Sequence, residues 1–515
     1  MHNRRETTMA DRAAIIFGNE IDARTYEKAC KAKQKNARRL GCDGTETCHL
    51  QIAELPVVGD RFGGKWLRPA TPDSEAADFS KVENPVVIGN IRMGFGHYRI
   101  AMAMSSAAAA MGYTPLWFDL MGFPDTAATK LISQQNDLYS LGSRLSQKNW
   151  LFNKLVWEPM NSEGFRKLTY NAADQKNAEL MVAPYRDLPR DIPFIGTHAW
   201  PAQAAVHAGL QNVVNAIPDN WPMALHLAEG ATHAVQTPSS YFGYKALRGM
   251  DKRRQLKPMP EGSLYYTGHY IDHELVLNIP FDCARRVERA EGAGPIRYLL
   301  TVGGAGAQQD LFRAIIEHLL PYVAREEAML FVNVGDHFDV WDSLCADVPQ
   351  LGQSATHFND FGEAAAFAEA ALDGPASGIH AFGNSDIFAA VYMTNLLMRA
   401  CDLLVTKPSE LSFYPVPKLM IKRVGGHEAW GAIRAAEIGD GTYELETVGE
   451  TCAWIDLVQS EPSIIAEMCD NIECADALGT YDGAYRVVRL ATGASTVSAD
   501  VFHRKQSMPV VRNGL

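Results

Sequence analysis

The residues best placed to do chemistry are polar side chains that close apolar runs. His97 ends the turn GFGH, which follows the apolar run 86–88. An imidazole titrates near neutrality and suits the removal of a proton from a hydroxyl. A histidine at a helix start also reads as a cap or packing residue. Asp119 and Asp219 close two further apolar runs, where a carboxylate can orient His97, act as the base, or form the turn. A second glycine turn, GGAG, places Gly303, Gly304, Ala305 and Gly306 ahead of a helical pattern. Free backbone N–H groups at such a helix start suit a diphosphate. Lys407, Ser409 and Glu410 stand in KPSE, and Gly426, His427 and Glu428 in GGHE. Lys407 and His427 offer positive charge or hydrogen bonds; Glu410 and Glu428 offer acceptors for hydroxyls, and Glu428 could equally cap its helix.

Several familiar chemistries are excluded or weakened. Neither glycine turn ends in the Gly-Lys-Ser/Thr of a P-loop. The third glycine of a dinucleotide fingerprint would fall on Arg99 or Gln309. No GxSxG elbow is present. His273-Glu274 and His427-Glu428 have Leu277 and Gly431 where a zinc helix needs its second histidine. Cys42, Cys48 and His49 fit no standard zinc spacing, so no metal site is expected. Nine scattered cysteines read as reduced thiols, not a disulfide framework. A net charge of -12 argues against bulk attraction to nucleic acid. With no apolar leader and no membrane-length run, a cytoplasmic protein is expected. The basic stretch 25–39, with Lys28, Lys31, Lys33, Lys35, Arg38 and Arg39, reads as a helix with a solvated face and leaves peripheral contact with the inner membrane face open.

These residues need elements to position them. Residues 84–119 read as strand, glycine turn, Ala/Met-rich helix and strand, a βαβ unit. Ligands of such sheets bind at the carboxyl ends of the strands. Strand ends at Thr197-His198, Pro218-Asp219-Asn220, Thr237 and Thr267-Gly268-His269 extend the polar mouth. The pattern restarts at Ile296 after the turn-rich EGAGP. At 515 residues and 47% hydrophobic, the chain can fill two or three cores. The expectation is an α/β protein with two Rossmann-like domains. Residues 1–84 form an N-terminal extension with a basic helix, 85–290 the first domain, and 295–470 the second.

GFGHYRIAMAM (94–104) resembles the turn opening the acceptor domain of monogalactosyldiacylglycerol synthases and of the lipid-linked N-acetylglucosaminyltransferase of peptidoglycan synthesis. LLTVGGAGAQ (299–308) is similar to the start of their donor domain. LLVTKPSELSFYPVPKLMI with GGHEAWGA (403–432) resembles their donor-site segment, and IPDNWP (217–222) and YYTGHYIDHEL (265–275) resemble further strand ends. The resemblance implies the GT-B fold, with parallel sheets facing across a cleft, and a tail, 471–515, crossing back to the first domain. It further implies an inverting, metal-independent glycosyltransferase using a nucleotide-sugar donor, a UDP-sugar foremost, as co-substrate and no other cofactor. On that model His97, Asp119 and Asp219 are catalytic. Gly303, Gly304, Ala305, Gly306, Lys407, Ser409, Glu410, Gly426, His427 and Glu428 bind donor. Gly94, Gly96, Arg92 and Arg99 meet the acceptor, a lipid-linked or other small molecule. Departures are visible: Pro415 and Pro417 shorten the helix after Glu410, and the first turn has fewer glycines than the relatives. A sugar-nucleotide epimerase or hydrolase, or a non-catalytic nucleotide-sugar binder, fits the same residues.

Overall fold

The computed structural model describes residues 11–148, 154–155, 164–292, 294–303, 306 and 308–493. Gly304, Ala305, the end of the expected tail and most of 149–157, the close of a helical pattern that the sequence shows over 131–157, lie outside them.

Apolar runs form the strands, as expected for parallel sheets covered on both faces. The first sheet contains β1 (Leu50–Glu54), β2 (Lys65–Pro69), β3 (Pro85–Asn90), β4 (Thr114–Asp119), β5 (Phe194–Gly196), β6 (Val213–Ala216), β7 (Thr232–Val235) and β8 (Leu264–Tyr266). Its order is β8-β7-β6-β5-β3-β4-β2-β1, parallel except for the β1–β2 pair. The second sheet contains β9 (Ile296–Thr301), β10 (Ala328–Asn333), β11 (Ala355–Phe358), β12 (Gly378–Gly383), β13 (Leu403–Thr406) and β14 (Lys418–Met420), in the order β11-β12-β10-β9-β13-β14 and wholly parallel. The chain is therefore an α/β protein with two parallel-sheet halves.

Two expected boundaries move. Residues 50–69 are the edge of the first sheet, not an extension or linker. The basic helix α1 (Ala23–Leu40) does form, N-capped by Asp22 and closed by Gly41 in the left-handed region. It packs on the helix Leu168–Ala178 and leaves Lys28, Lys31, Lys35 and Arg38 exposed. The other shift concerns helix α5 (Ile279–Glu291), which lies on the second half, ahead of the expected break near Gly292. There Arg286 donates to the carbonyls of Cys401 and Met398, at 3.0 and 2.8 Å, and Arg289 pairs with Asp402.

The opening turn leads from β3 into α2 (Gly96–Ala110), with Gly94 at φ 78°, a conformation that favours glycine. The helices α3 (Ala199–His207) and α4 (Pro238–Lys245) follow β5 and β7 in the same manner. In the second half α6 (Gln309–Ala324), α7 (Ile387–Ala400) and α8 (Ala429–Ile438) precede α9 (Ser463–Ala477), which packs on α5. The chain then crosses back at 479–482, later than expected, and α10 (Gly483–Thr492) lies against α2, β5 and β6.

The two crossings between halves are bonded to each other. His269 N donates to Thr480 O at 2.7 Å and Gly483 N to His269 O at 2.9 Å. A Cβ on Gly483 would sit 2.1 Å from the carbonyl oxygen of Gly268, so no side chain fits. Asp272, fully buried in the first crossing, accepts from Tyr414 Oη at 3.0 Å. Burial pushes its carboxyl up to about 7. The folded protein thus holds a proton that the unfolded chain releases near pH ~4. A raised acid stabilises fully below that value, and its contribution is lost as pH rises toward 7. Asp272→Asn keeps an acceptor for Tyr414 and removes the titration. Urea unfolding should show a stability gain over wild type that grows by about 1.4 kcal/mol per pH unit and levels off near pH 7. A gain independent of pH would remove this account.

Candidate functional site

His97 is the second residue of α2 and does not cap it; the residue at the cap is Phe95. Its Nδ1 lies 2.9 Å from the carbonyl oxygen of Thr197, just beyond β5. A carbonyl only accepts, so Nδ1 carries the proton and Nε2 the lone pair. Burial holds His97 below the usual histidine range, outweighing the Thr197 contact and the pull of Asp219. It is therefore a neutral imidazole with one basic nitrogen. His198 stands edge-on to it, with ring centroids 4.9 Å apart, and caps α3 by accepting from Trp200 N at 3.1 Å. That contact makes His198 Nδ1 an acceptor, and burial holds this ring far below its usual range.

Asp219 follows β6. Its Oδ2 is 3.1 Å from Nε2 of His226. Burial would raise its carboxyl, but His226, then His427 and His97, hold it below the ordinary carboxylate range. His427 belongs to the second half, so Asp219 feels the charge of histidines from segments far apart in sequence. The Nδ1 of His427 is buried without a hydrogen bond. At the same lip Trp221 stacks on Trp430 of α8, with centroids 5.1 Å apart and planes at 17°. Asn220 donates to the Trp430 carbonyl at 3.2 Å, and the Arg166 guanidinium covers Trp221 at 4.4 Å.

Other expected site residues are placed differently. Asp119 does not meet His97. It accepts from Tyr98 Oη and Met121 N, and burial lifts its carboxyl to about 6. Arg99 is 2% exposed and cannot grip an acceptor, because its donors are taken by α7. They reach Val391 O at 3.3 Å, Asn395 Oδ1 at 3.2 Å and Thr394 Oγ1 at 3.4 Å. Its Nε faces Glu410, at 3.4 Å. Glu410 in turn lies over Gly96, where a Cβ would be 3.0 Å from Oε2. The carboxylate expected to bind donor thus sits on the opening turn of the first half, near the positive end of α2. Arg92 also crosses the cleft, to Asp336, and Phe95 packs against Gly335.

Glu428 accepts from Val424 N at 2.8 Å and Gly425 N at 3.1 Å and pairs with Lys407. It orders its own turn, and burial is overridden by Lys407 and His427, which keep it ionised. The stem of Lys407 passes over Gly303, so the lysine, Gly303 and the Gly426–His427 turn share one corner. Ser409 donates its backbone N–H to Lys407 O at 2.8 Å. Gly306 faces the ring of His337. Among the described residues no group of three His, Cys, Asp or Glu is arranged to hold a metal ion, and no helix is long and apolar enough to cross a membrane.

His226, Trp221 and Trp430 were not singled out from sequence. Trp221 had a signal, two residues past Asp219 in a proline-bracketed turn. His226 had none, since it lies in a single 3-10 turn, Ala224–His226, away from any strand end.

Two family models match the chain. Residues 15–246 match a domain of unknown function, DUF6937, and residues 259–492 match another, DUF6938. The junction between them, 247–258, falls ahead of β8, so the second match takes in the last strand of the first sheet as well as the whole second half. No curated protein matches. Among solved structures the chain is similar to UDP-GlcNAc 2-epimerase from Neisseria meningitidis bound to UDP-GlcNAc, at 12% identity and a TM-score of 0.42, covering 80% of this chain and 99% of that one. It is also similar to the spinosyn rhamnosyltransferase SpnG complexed with thymidine diphosphate, at 11% identity and a TM-score of 0.32, covering 76% and 96%. Likeness at these scores carries no argument about what this chain does.

Proposed function

We propose that the protein transfers a sugar from a nucleoside-diphosphate sugar, a UDP-sugar foremost, to an acceptor hydroxyl in the cleft between its halves. The observation that supports this reading most is His97. Its Nδ1–H is tied to Thr197 O, its other nitrogen is left basic, and the ionised Asp219 pulls on it by charge. In the proposed step the acceptor oxygen attacks the anomeric carbon while His97 Nε2 takes its proton. The bond from that carbon to the diphosphate breaks, with inversion. Asp219 stabilises the imidazolium that forms. The diphosphate would lie at the head of α6, near Gly303, Gly306, Lys407 and His427, where N–H groups and positive charge offset its developing charge.

One observation favours a second reading. Arg92, Phe95, Arg99 and Glu410 all engage the other half at the opening turn, which leaves that turn little surface for a large acceptor. This suits a small acceptor or none, as in a sugar-nucleotide epimerase or hydrolase. Thermal shift against UDP-, GDP-, dTDP- and CDP-sugars tests the shared premise. One nucleotide should stabilise the protein by about 2.7 kcal/mol at a hundredfold excess over Kd. Free nucleoside diphosphate appearing only with an acceptor supports transfer; its appearance without one supports hydrolysis, and a changed sugar supports epimerisation. A folded protein stabilised by none of the four would overturn both readings.

A further inference from the structure

Behind Asp219 a line of hydrogen bonds runs into the core of the first half. Tyr244, on α4, is fully buried, and His226 is 3% exposed. The Tyr244 oxygen lies 2.8 Å from Nδ1 of His226 and 3.3 Å from the carbonyl oxygen of Trp221, and accepts from Met223 N at 3.2 Å. On the far side of the ring, Nε2 meets Asp219 Oδ2 at 3.1 Å.

The donor and acceptor roles can be counted. The Asp219 carboxylate only accepts, so Nε2 carries a proton. In the neutral ring Nδ1 is a lone pair, and the Tyr244 hydroxyl donates to it. A proton added at Nδ1 reverses that bond. The ring then donates to the Tyr244 oxygen, and the hydroxyl hydrogen turns to Trp221 O. In this second state the phenol oxygen accepts from Met223 N and from His226 and donates once, so nothing buried is left unpaired. From the cation, the Nε2 proton can pass to Asp219. That leaves a neutral ring protonated at Nδ1 and a carboxylic acid facing the cleft, with no change in total charge. A hydroxyl both donates and accepts, so it serves the ring in both charge states, whereas an unpaired buried imidazole would be costly.

We propose that Tyr244 is a positioning residue that lets His226 take up and return a proton beside Asp219, so that Tyr244, His226 and Asp219 form an acid–base relay for the cleft. The groups facing His226 are Asp219, Tyr244, His97 and His198, and only Asp219 brings negative charge. Asp219 held ionised below its ordinary range accords with a proton resting on the ring side of the pair. The relay's use in turnover rests on the sugar-transfer reading; its proton states do not.

The test is side-chain nitrogen NMR of histidine-labelled full-length protein between pH 5 and 9, with the His226 signals assigned through His226→Gln. Wild type should show a ring protonated at Nε2, toward Asp219, with Nδ1 bonded to Tyr244. In Tyr244→Phe the imidazolium has lost its acceptor, a charge-assisted bond. Its population relative to the neutral ring at a fixed pH should fall about tenfold. A folded Tyr244→Phe with an unmoved His226 titration, even with a lower melting temperature, makes Tyr244 merely structural and overturns the proposal. If that variant does not fold, Asp219→Asn examines the other end. Loss of the carboxylate should lower the imidazolium population and the preference for Nε2–H, and an unchanged ring would equally overturn the relay. A relay seen by NMR in a protein that turns over no sugar nucleotide would refute the proposed function alone.

Discussion

His97→Ala should lower the initial rate of sugar transfer about a hundredfold or more, the usual worth of a positioned general base. Nucleotide-sugar affinity should change little, because the groups proposed to hold the diphosphate belong to the other half. The wild-type rate should fall on the acid side as His97 takes a proton. Burial holds the ring below the histidine range of ~6.5, so the acid limb should lie below that value and vanish in the variant. A rival account gives His97 only the bond to Thr197, which ties the head of α2 to the end of β5. His97→Gln separates the two, since its amide can still donate to that carbonyl but has no basic nitrogen. The base account expects recovered melting temperature with the rate still low. Full activity in the glutamine variant would move the search for the base to Asp219.

The central strands were legible because both faces are covered. Residues 86–90 and 296–301 are buried throughout, so apolar runs mark them without ambiguity. The edge strands β1 and β2 were not. LQIAE and KWLRP are only partly covered, and their mixed polarity reads as linker. The helix start at His97 and the strand ends at His198 and Asp219 were visible as a polar mouth, since connectivity alone puts them at the carboxyl edge. Their partners were another matter. Arg99 and Glu410 flank motifs as binding residues would, yet each is engaged by the opposite half, some 300 positions away in sequence. Glu428 lies in the GGHE motif, and capping, one of its two readings, is what the turn uses it for. Position along a strand is thus read from local pattern, whereas the use of a side chain depends on which half folds onto it.

The largest stability effect should come from Lys418. It lies on β14, wholly buried, with Nζ 2.6 Å from Asp440 Oδ1, and Asp440 is equally buried. Asp440 Oδ2 accepts from Tyr481 Oη at 3.1 Å, and Tyr481 belongs to the second crossing, so the pair joins the edge of the second sheet to the returning chain. Burial disfavours both charges: it pulls the lysine down and pushes the aspartate up, with each partly offset by the other. Such a pair adds little net stability, yet losing one member leaves the other uncompensated. Lys418→Met should therefore cost about 3–5 kcal/mol in urea unfolding. Without the lysine, Asp440 would keep its proton in the folded state. A raised acid stabilises below its unfolded value of ~3.9 and loses that contribution as pH rises, so the defect should be larger at pH 8 than at pH 5. Lys418→Met with Asp440→Leu removes both charges and should recover most of the loss, leaving only the bond from Tyr481 unmade. The comparison of single and double variants measures the coupling directly. A double variant as unstable as the sum of its parts would mean that packing at β14, not the buried charge, holds this edge.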